Sequence, residues 1–159
     1  MNSKVKFVGA FLASALVFGG AAAQAWEIRR AHASCSAFTS TNFRSDGGNN
    51  GSGSLSLGCA LPDENDLPHE NIATLNVHFE RPSGSASSGA SRCVMYPFAA
   101  GSLCGAAHFP SGTGFITSSP SNLPSGWSDP ANFAWLNVIV APKTSGGAFT
   151  MFKGFYASN

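Results

Sequence analysis

The sequence predicts an all-β protein, a single antiparallel β-sandwich stapled by two disulfide bonds. Several segments alternate apolar and polar residues with the period of two that is typical of a half-buried strand. These short segments are separated by clusters of Gly, Pro and Ser, as in sandwiches and barrels. The four cysteines of a chain that we expect to be exported indicate two disulfides. This pattern leaves an immunoglobulin-like and a jelly-roll topology equally open.

Residues 1–25 have the three parts of a signal peptide. Lys4 and Lys6 precede an apolar run over residues 7–23, and Ala23-Gln24-Ala25 matches an A-x-A cleavage site. A membrane anchor is the alternative, but the run is shorter than the ~20 apolar residues that span a bilayer. We therefore predict cleavage after residue 25, a single domain over residues 26–159 with no membrane span, and a secreted or periplasmic location.

The charge balance argues against nucleic acid as a partner. Removing the two signal-peptide lysines leaves seven Lys and Arg against eight Asp and Glu, a net charge of −1. Nucleic acids and anionic membrane surfaces require clustered basic residues, and Arg29-Arg30 is the only basic doublet. The 13 Phe, three Trp and two Tyr argue against disorder and for a packed core.

The clearest strand pattern runs from Ile72 to Glu80, where every second residue is apolar. The last two predicted strands are the most apolar, and we expect Trp135 and Phe149 in the core with their neighbours. The Ser-rich segment 82–91 is predicted to be a long hairpin loop between two strands of one sheet. In chain order, the predicted strands are Ala33–Thr39, Leu55–Leu61, Ile72–Glu80, about Arg92–Phe98, Leu103–Phe109, Gly114–Ser118, Phe133–Ala141 and Ala148–Tyr156.

Three pairings of Cys35, Cys59, Cys93 and Cys104 are possible. We favour Cys35–Cys59 and Cys93–Cys104 because each bond closes a local loop between neighbouring predicted strands. Each unstrained bond would stabilise the fold by ~3 kcal/mol, mainly by restricting the unfolded chain. A zinc site is the alternative, but no two of these cysteines form a C-x₂-C pair.

One motif resembles a recurring pattern in short exported bacterial proteins. In these proteins an early cysteine precedes an aromatic-Arg-Ser-Asp-Gly run, and a later strand ends in Cys-Pro-Leu-Pro. Here the corresponding segments are residues 42–48 (Asn-Phe-Arg-Ser-Asp-Gly-Gly) and residues 58–63 (Gly-Cys-Ala-Leu-Pro-Asp). The sequence departs from the pattern at Ala60, where proline is usual, and at Ala141, where a late cysteine is expected. The resemblance implies an exported bacterial β domain, and it implies nothing about catalysis because the group has no known activity.

The residues of this motif also predict a tight turn. In the Asp-Gly-Gly-Asn-Asn-Gly run over residues 46–51, these residue types tolerate a left-handed backbone, and the Asp and Asn side chains can form hydrogen bonds with the backbone of the same turn. We expect Arg44 and Asp46 to form an ion pair across the turn. An EF-hand is excluded because Gly48 and Leu57 occupy positions that need oxygen ligands.

Asp63, Glu64, Asp66 and Glu70 form the main acidic cluster of the sequence. Several carboxylates in one loop could hold Ca²⁺ at the low affinity of extracellular modules. Because the cluster has no defined ligand spacing, a solvated connector is the favoured interpretation. We predict no cofactor, with Ca²⁺ as the weak alternative.

Catalytic motifs are missing from the sequence. There is no G-x-S-x-G elbow, and the four histidines form no H-E-x-x-H. Our alternative function is a small secreted hydrolase, in which serine, histidine and aspartate residues distant in the sequence would be brought together by the fold.

Trp127 and Asp129 are the candidate ligand-binding residues. They lie between two prolines in a predicted loop, where an exposed indole with polar neighbours would suit a sugar ring. The favoured alternative is that Trp127 folds back and caps the sandwich, since large aromatic residues are usually buried. The sequence thus predicts a non-enzymatic binding or structural protein of the cell exterior, with a carbohydrate or a surface protein as partner.

Overall fold

The computed structural model describes residues 27–38, 42–61, 67–97 and 101–159. Within these ranges the chain forms nine β-strands and two short 3₁₀ helices, His32–Ser34 and His69–Asn71. The strands are β1 (Glu27–Ala31), β2 (Cys35–Ala37), β3 (Leu55–Ala60), β4 (Thr74–Arg81), β5 (Gly89–Met95), β6 (Ser102–Cys104), β7 (Gly114–Ser118), β8 (Phe133–Val140) and β9 (Met151–Ser158).

The strands form two fully antiparallel sheets, which confirms the predicted all-β sandwich. The four-stranded sheet has the order β1-β9-β4-β7, and the five-stranded sheet has the order β2-β3-β8-β5-β6. Without the short edge strand β2, eight strands remain. Among these eight, the outermost in the chain pair with each other and so on inward: β1 with β9, β3 with β8, β4 with β7 and β5 with β6. A long antiparallel ribbon folded over into two sheets has this pairing, which is that of a jelly roll.

The core lies between the sheets and is built by strand alternation. β4 points Leu75, Val77 and Phe79 inward, and all three are buried. On the neighbouring strand the ring of Phe152 lies 5.9 Å from that of Phe79, centroid to centroid. Facing them, β8 buries a second row of aliphatic side chains at every second position. This period-two pattern is the signal by which the sequence predicted β4, whereas β8 was predicted from its apolar composition.

Both favoured disulfides are present, and each ties an edge strand to its neighbour. Cys35 and Cys59 lie directly opposite each other on β2 and β3, with Cα atoms 4.2 Å apart. Cys93 and Cys104 do the same on β5 and β6, at 4.0 Å. The two edge strands have only three residues each, so these bonds hold strands with few hydrogen bonds of their own.

The structure corrects two predictions about the core. Trp135 and Phe149 are only partly buried. In β8 the inward positions are taken by Ala134 and Leu136, so the pleat places Trp135 on the outer face. Phe149 lies beside the turn of the 42–48 motif, where the Arg44 guanidinium carbon is 4.8 Å from the ring centroid.

The predicted hairpin loop over residues 82–91 is also wrong. β4 and β5 belong to different sheets, so this segment crosses from one sheet to the other, and β5 already begins at Gly89. β1 was not predicted, because Glu27–Ala31 contains one large apolar residue and no clear alternation. The predicted strand Leu103–Phe109 is shorter in the structure, where β6 covers only Ser102–Cys104. Further along the same segment, His108 forms an isolated β-bridge with Ala90.

The predicted signal peptide lies outside the described residues and stays a prediction. Among the residues that are described, no helix is long and apolar enough to cross a membrane.

Candidate functional site

The outer face of the four-stranded sheet carries polar and charged side chains in register. Tyr156 on β9 is flanked by Arg29 on β1 and by Asn76 on β4. The guanidinium carbon of Arg29 lies 5.7 Å from the centre of the Tyr156 ring, within the range of a cation–π contact. One aromatic ring therefore stands between a cation and an amide on an exposed sheet surface.

A hollow of about 490 Å³ opens on this face beside Tyr156. Three of the residues around it have basic side chains, and none is an aspartate or a glutamate. The lining residues are Arg29, Arg30, Ala31, Asn76, His78, Lys153, Gly154, Phe155 and Tyr156.

Gly154 lines this hollow at a position where the backbone favours glycine. It lies opposite His78 on β4 and Ala31 on β1, and it contributes no side chain to the face. Its φ of +137° disfavours residues with a Cβ, and an added Cβ would overlap the carbonyl oxygen of Arg30. The glycine therefore allows the backbone of β1 to lie close to β9 beside the hollow.

A β-bulge next to Gly154 directs Lys153 to the outer face. His78 pairs with Gly154 while the following residue, Phe79, pairs with Phe152, so Lys153 is an extra residue in β9. Bulges are common beside functional sites because they change where one side chain points. The Lys153 Nζ lies 2.8 Å from Glu80 Oε2, and both side chains are partly exposed to solvent.

Hydrogen bonds to β7 and to the residue that follows it hold the polar side chains at the rim of the hollow. His78 Nδ1 lies 3.1 Å from Thr117 Oγ1. The Ser119 hydroxyl donates to Asn76 Oδ1 at 2.6 Å. The rim side chains are therefore held in place by β7 and by the residue that follows it.

Trp127 cannot serve as an exposed sugar platform, and the favoured alternative, in which it folds back, is confirmed. The side chain is 3% exposed and belongs to the core cluster. Its ring centroid is 5.6 Å from that of His69 and 5.2 Å from the Arg92 guanidinium carbon. Asp129 is exposed, and its Oδ1 accepts a hydrogen bond from the Ala131 N–H at 2.9 Å, so it stabilises a turn.

Arg92 is a buried cation that the sequence analysis did not identify. It occupies an inward position of β5 and donates hydrogen bonds to the carbonyl oxygens of Ile72, Ala73 and Pro120, at 2.8 to 3.1 Å. Burial lowers the pKa of Arg92. The sequence did contain a signal for this, because Arg92 stands at a strand position that alternation with Ala90 and Val94 assigns to the inner face. Its bonds tie three loop carbonyls to β5, so its role is structural.

The acidic cluster is described only at Glu70, whose Oε2 lies 3.6 Å from His69 Nδ1. The other three members, Asp63, Glu64 and Asp66, lie outside the described residues, so the calcium alternative stays a prediction. In the described ranges no three His, Cys, Asp or Glu residues are grouped as metal ligands.

The predicted ion pair of the 42–48 motif is present. Arg44 Nη2 lies 2.8 Å from Asp46 Oδ2, and the Gly48 N–H donates to Asp46 Oδ1 at 3.0 Å. The hydrogen bond from Arg44, followed by that from Gly48, lowers the pKa of Asp46 from 3.8 to about 2. The motif is thus a rigid turn.

The Ser–His contacts of the structure do not form a hydrolase centre. Ser118 is buried, and its hydroxyl donates to the carbonyl oxygen of His108 at 2.7 Å. His78 contacts a threonine, and in the described part of the chain neither of these histidines hydrogen-bonds a carboxylate. A catalytic triad would require a serine hydroxyl bonded to a histidine ring and a carboxylate bonded to the same ring.

The outer face of the five-stranded sheet has a different character, and we call it the aromatic face. Phe133 (63% exposed), Phe38 (56%) and Met95 (49%) project from it. The ring centroid of Trp135 lies 5.3 Å from that of Phe38 in an edge-to-face contact. The outward strand positions between them are uncharged: Ser36, Ser56, Gly58, Ala60, Gly89, Ser91, Cys93, Ser102, Cys104, Asn137 and Ile139.

Comparisons with protein-family models, with curated proteins and with solved structures find no match to this chain. The functional assignment therefore depends on the two sheet faces themselves.

Proposed function

We propose that this protein is an exported, non-enzymatic binding domain that holds a carbohydrate in the hollow beside Tyr156. The observation that carries the proposal is the placement of Tyr156 between Arg29 and Asn76, at the hollow that these residues line together with Gly154. Sugar rings present an apolar face to an aromatic ring and hydroxyl groups to the side chains around it.

The chemistry of the lining residues supports this ligand class. Arginine and lysine supply donors, and the amide of Asn76 and the imidazole of His78 supply both donors and acceptors, which match sugar hydroxyls. The volume of about 490 Å³ falls within the ~300–1,000 Å³ of small-molecule sites. It suits one or two sugar units.

A binding role is favoured over hydrolysis by the absence of carboxylates from the described lining. Glycoside hydrolysis uses a pair of Asp or Glu residues across the scissile bond. The Glu80 side chain pairs with Lys153 and does not line the hollow. Export is supported by the two disulfides, which persist in oxidising compartments, together with the predicted signal peptide.

The test is binding of the oxidised protein to a panel of neutral and acidic glycans, followed by titration calorimetry on the best ligand. Tyr156→Ala should weaken binding about tenfold, since an aromatic stacking partner contributes ~1 kcal/mol or more. Phe115→Ala is the matched control, because Phe115 is 83% exposed on the same sheet but lies outside the hollow. Equal affinities for the two variants, or no glycan binding at millimolar concentration, would refute the proposal.

A further inference from the structure

We propose that the hollow beside Tyr156 selects an acidic sugar, one with a carboxylate or a sulfate ester, whose negative group is bound by the Arg29 guanidinium. This inference rests on the proposed function, because it names the kind of carbohydrate that the same hollow holds. Its basis is the charge of the lining. Arg29, Arg30 and Lys153 are basic, and the described residues of the lining include no Asp or Glu. A concave surface with one sign of charge attracts ligands of the opposite charge.

The positive charge is local to the hollow and is not a property of the whole protein. Residues 26–159 contain seven Lys and Arg against eight Asp and Glu, a net charge of −1. Three of the seven basic residues nevertheless line this hollow. Two others serve the fold elsewhere, since Arg44 pairs with Asp46 and Arg92 is buried. The attraction for anions is therefore concentrated at this surface.

Arg29 is placed to bind the negative group of a sugar. It is exposed and stands opposite Tyr156 on the outer face of the sheet, with its guanidinium carbon 5.7 Å from the centre of the ring. A sugar that packs beside Tyr156 would carry its substituents within reach of this cation. The guanidinium presents its donors in a planar fork that matches a pair of oxygens such as those of a carboxylate. Such charge-assisted hydrogen bonds are stronger than those between neutral groups.

Lys153 contributes less than Arg29, because Glu80 already neutralises it. The Lys153 Nζ lies 2.8 Å from Glu80 Oε2, and both side chains are partly exposed to solvent. Exposed ion pairs of this kind contribute little net energy. An acidic sugar in the hollow competes with Glu80 for this ammonium group. Removal of the Glu80 charge should therefore strengthen the binding of an acidic sugar and leave a neutral one unaffected.

Titration calorimetry of the oxidised protein with matched pairs of sugars tests the inference. The probes are uronic-acid disaccharides of gluco, galacto and manno configuration, each as the free acid and as its methyl ester, which has the same rings without the charge. The wild type should bind at least one acid about tenfold more tightly than its ester. Raising NaCl from about 0.05 M to about 0.5 M should reduce this preference, because salt screens exposed charges, and should leave the affinity for the ester unchanged.

Three variants separate the charge of the hollow from its shape. Arg29→Gln should abolish the preference for the acid while the ester binds as before, since glutamine keeps hydrogen-bond donors and removes the charge. Lys143→Gln is the matched control: it removes the same charge at an exposed residue outside the hollow, and it should behave like the wild type. Glu80→Gln should increase the affinity for the acid about threefold. It gives an independent reading if Arg29→Gln does not fold, as judged by circular dichroism.

A sulfated disaccharide without a carboxylate, compared with its desulfated form, distinguishes the two sources of negative charge. Arg29-dependent binding of either the uronic acid or the sulfate ester supports the inference. Equal affinities for every charged sugar and its neutral form would overturn it, and so would a preference that survives Arg29→Gln or disappears in Lys143→Gln. If Tyr156→Ala still weakens binding in that case, the proposed function stands without the charge selection. Failure of all these sugars to bind would overturn both.

Discussion

Replacing Gly154 with alanine should destabilise the fold more than the same change at a turn glycine. Its φ of +137° costs ~1–3 kcal/mol for a residue with a Cβ. The new Cβ would also overlap the Arg30 carbonyl oxygen, and β1 pairs only with β9, so β1 must move away locally. Losing one or two backbone hydrogen bonds adds ~1 kcal/mol each. The expected total is ~2–5 kcal/mol, a large part of the ~5–15 kcal/mol that stabilises a typical domain.

The assay is urea unfolding of the oxidised protein, with Gly84→Ala as the control. Gly84 also has a positive φ, of +76°, but an added Cβ would meet no atom within 4 Å. It should cost only ~1–2 kcal/mol. Hydrogen exchange should show that protection is lost first in β1, while β4 stays protected. If the two variants lose the same stability within ~0.5 kcal/mol, the close approach of β1 to Gly154 is not what requires glycine there.

Two further predictions concern the turn and the disulfides. Because the folded-state pKa of Asp46 is about 2, below its ordinary 3.8, the pair with Arg44 should stabilise the fold above about pH 4, and this contribution should disappear as the pH falls through 2. The difference in unfolding free energy between wild type and Asp46→Asn should decrease as the pH falls from 4 to 2. The difference is small because the ion pair is exposed. A difference that does not vary with pH would contradict the stabilising role of the Arg44–Asp46 pair. Opening the Cys35–Cys59 bond by double Ser substitution should cost ~0.7 kcal/mol more than opening Cys93–Cys104, since their sequence separations are 24 and 11. Thermal unfolding compares the two double mutants, and the reverse order would show that native-state packing outweighs loop entropy.

Local chemistry was readable in the sequence wherever neighbouring residues control the outcome. Alternation predicted the inward faces of β3 and β4, because a strand pleat acts over two residues. The Arg44–Asp46 ion pair was predicted from residues within a single turn. The disulfide pairing was favoured because each bond closes a local loop between neighbouring predicted strands. Apolarity without alternation was a poorer guide, since it placed Trp135 in the core rather than on the aromatic face.

The sequence by itself determined the fold class and the rigid turn, and it favoured, among three possible pairings, the disulfide pairing that the structure shows. Only the tertiary structure could place Arg29, Asn76 and Tyr156 in one row, because they come from β1, β4 and β9, and strand order and register bring them together. The jelly-roll order likewise depends on pairing between strands at opposite ends of the chain. Such pairings are selected by the packing of the whole sandwich, and no short segment contains the information that specifies them.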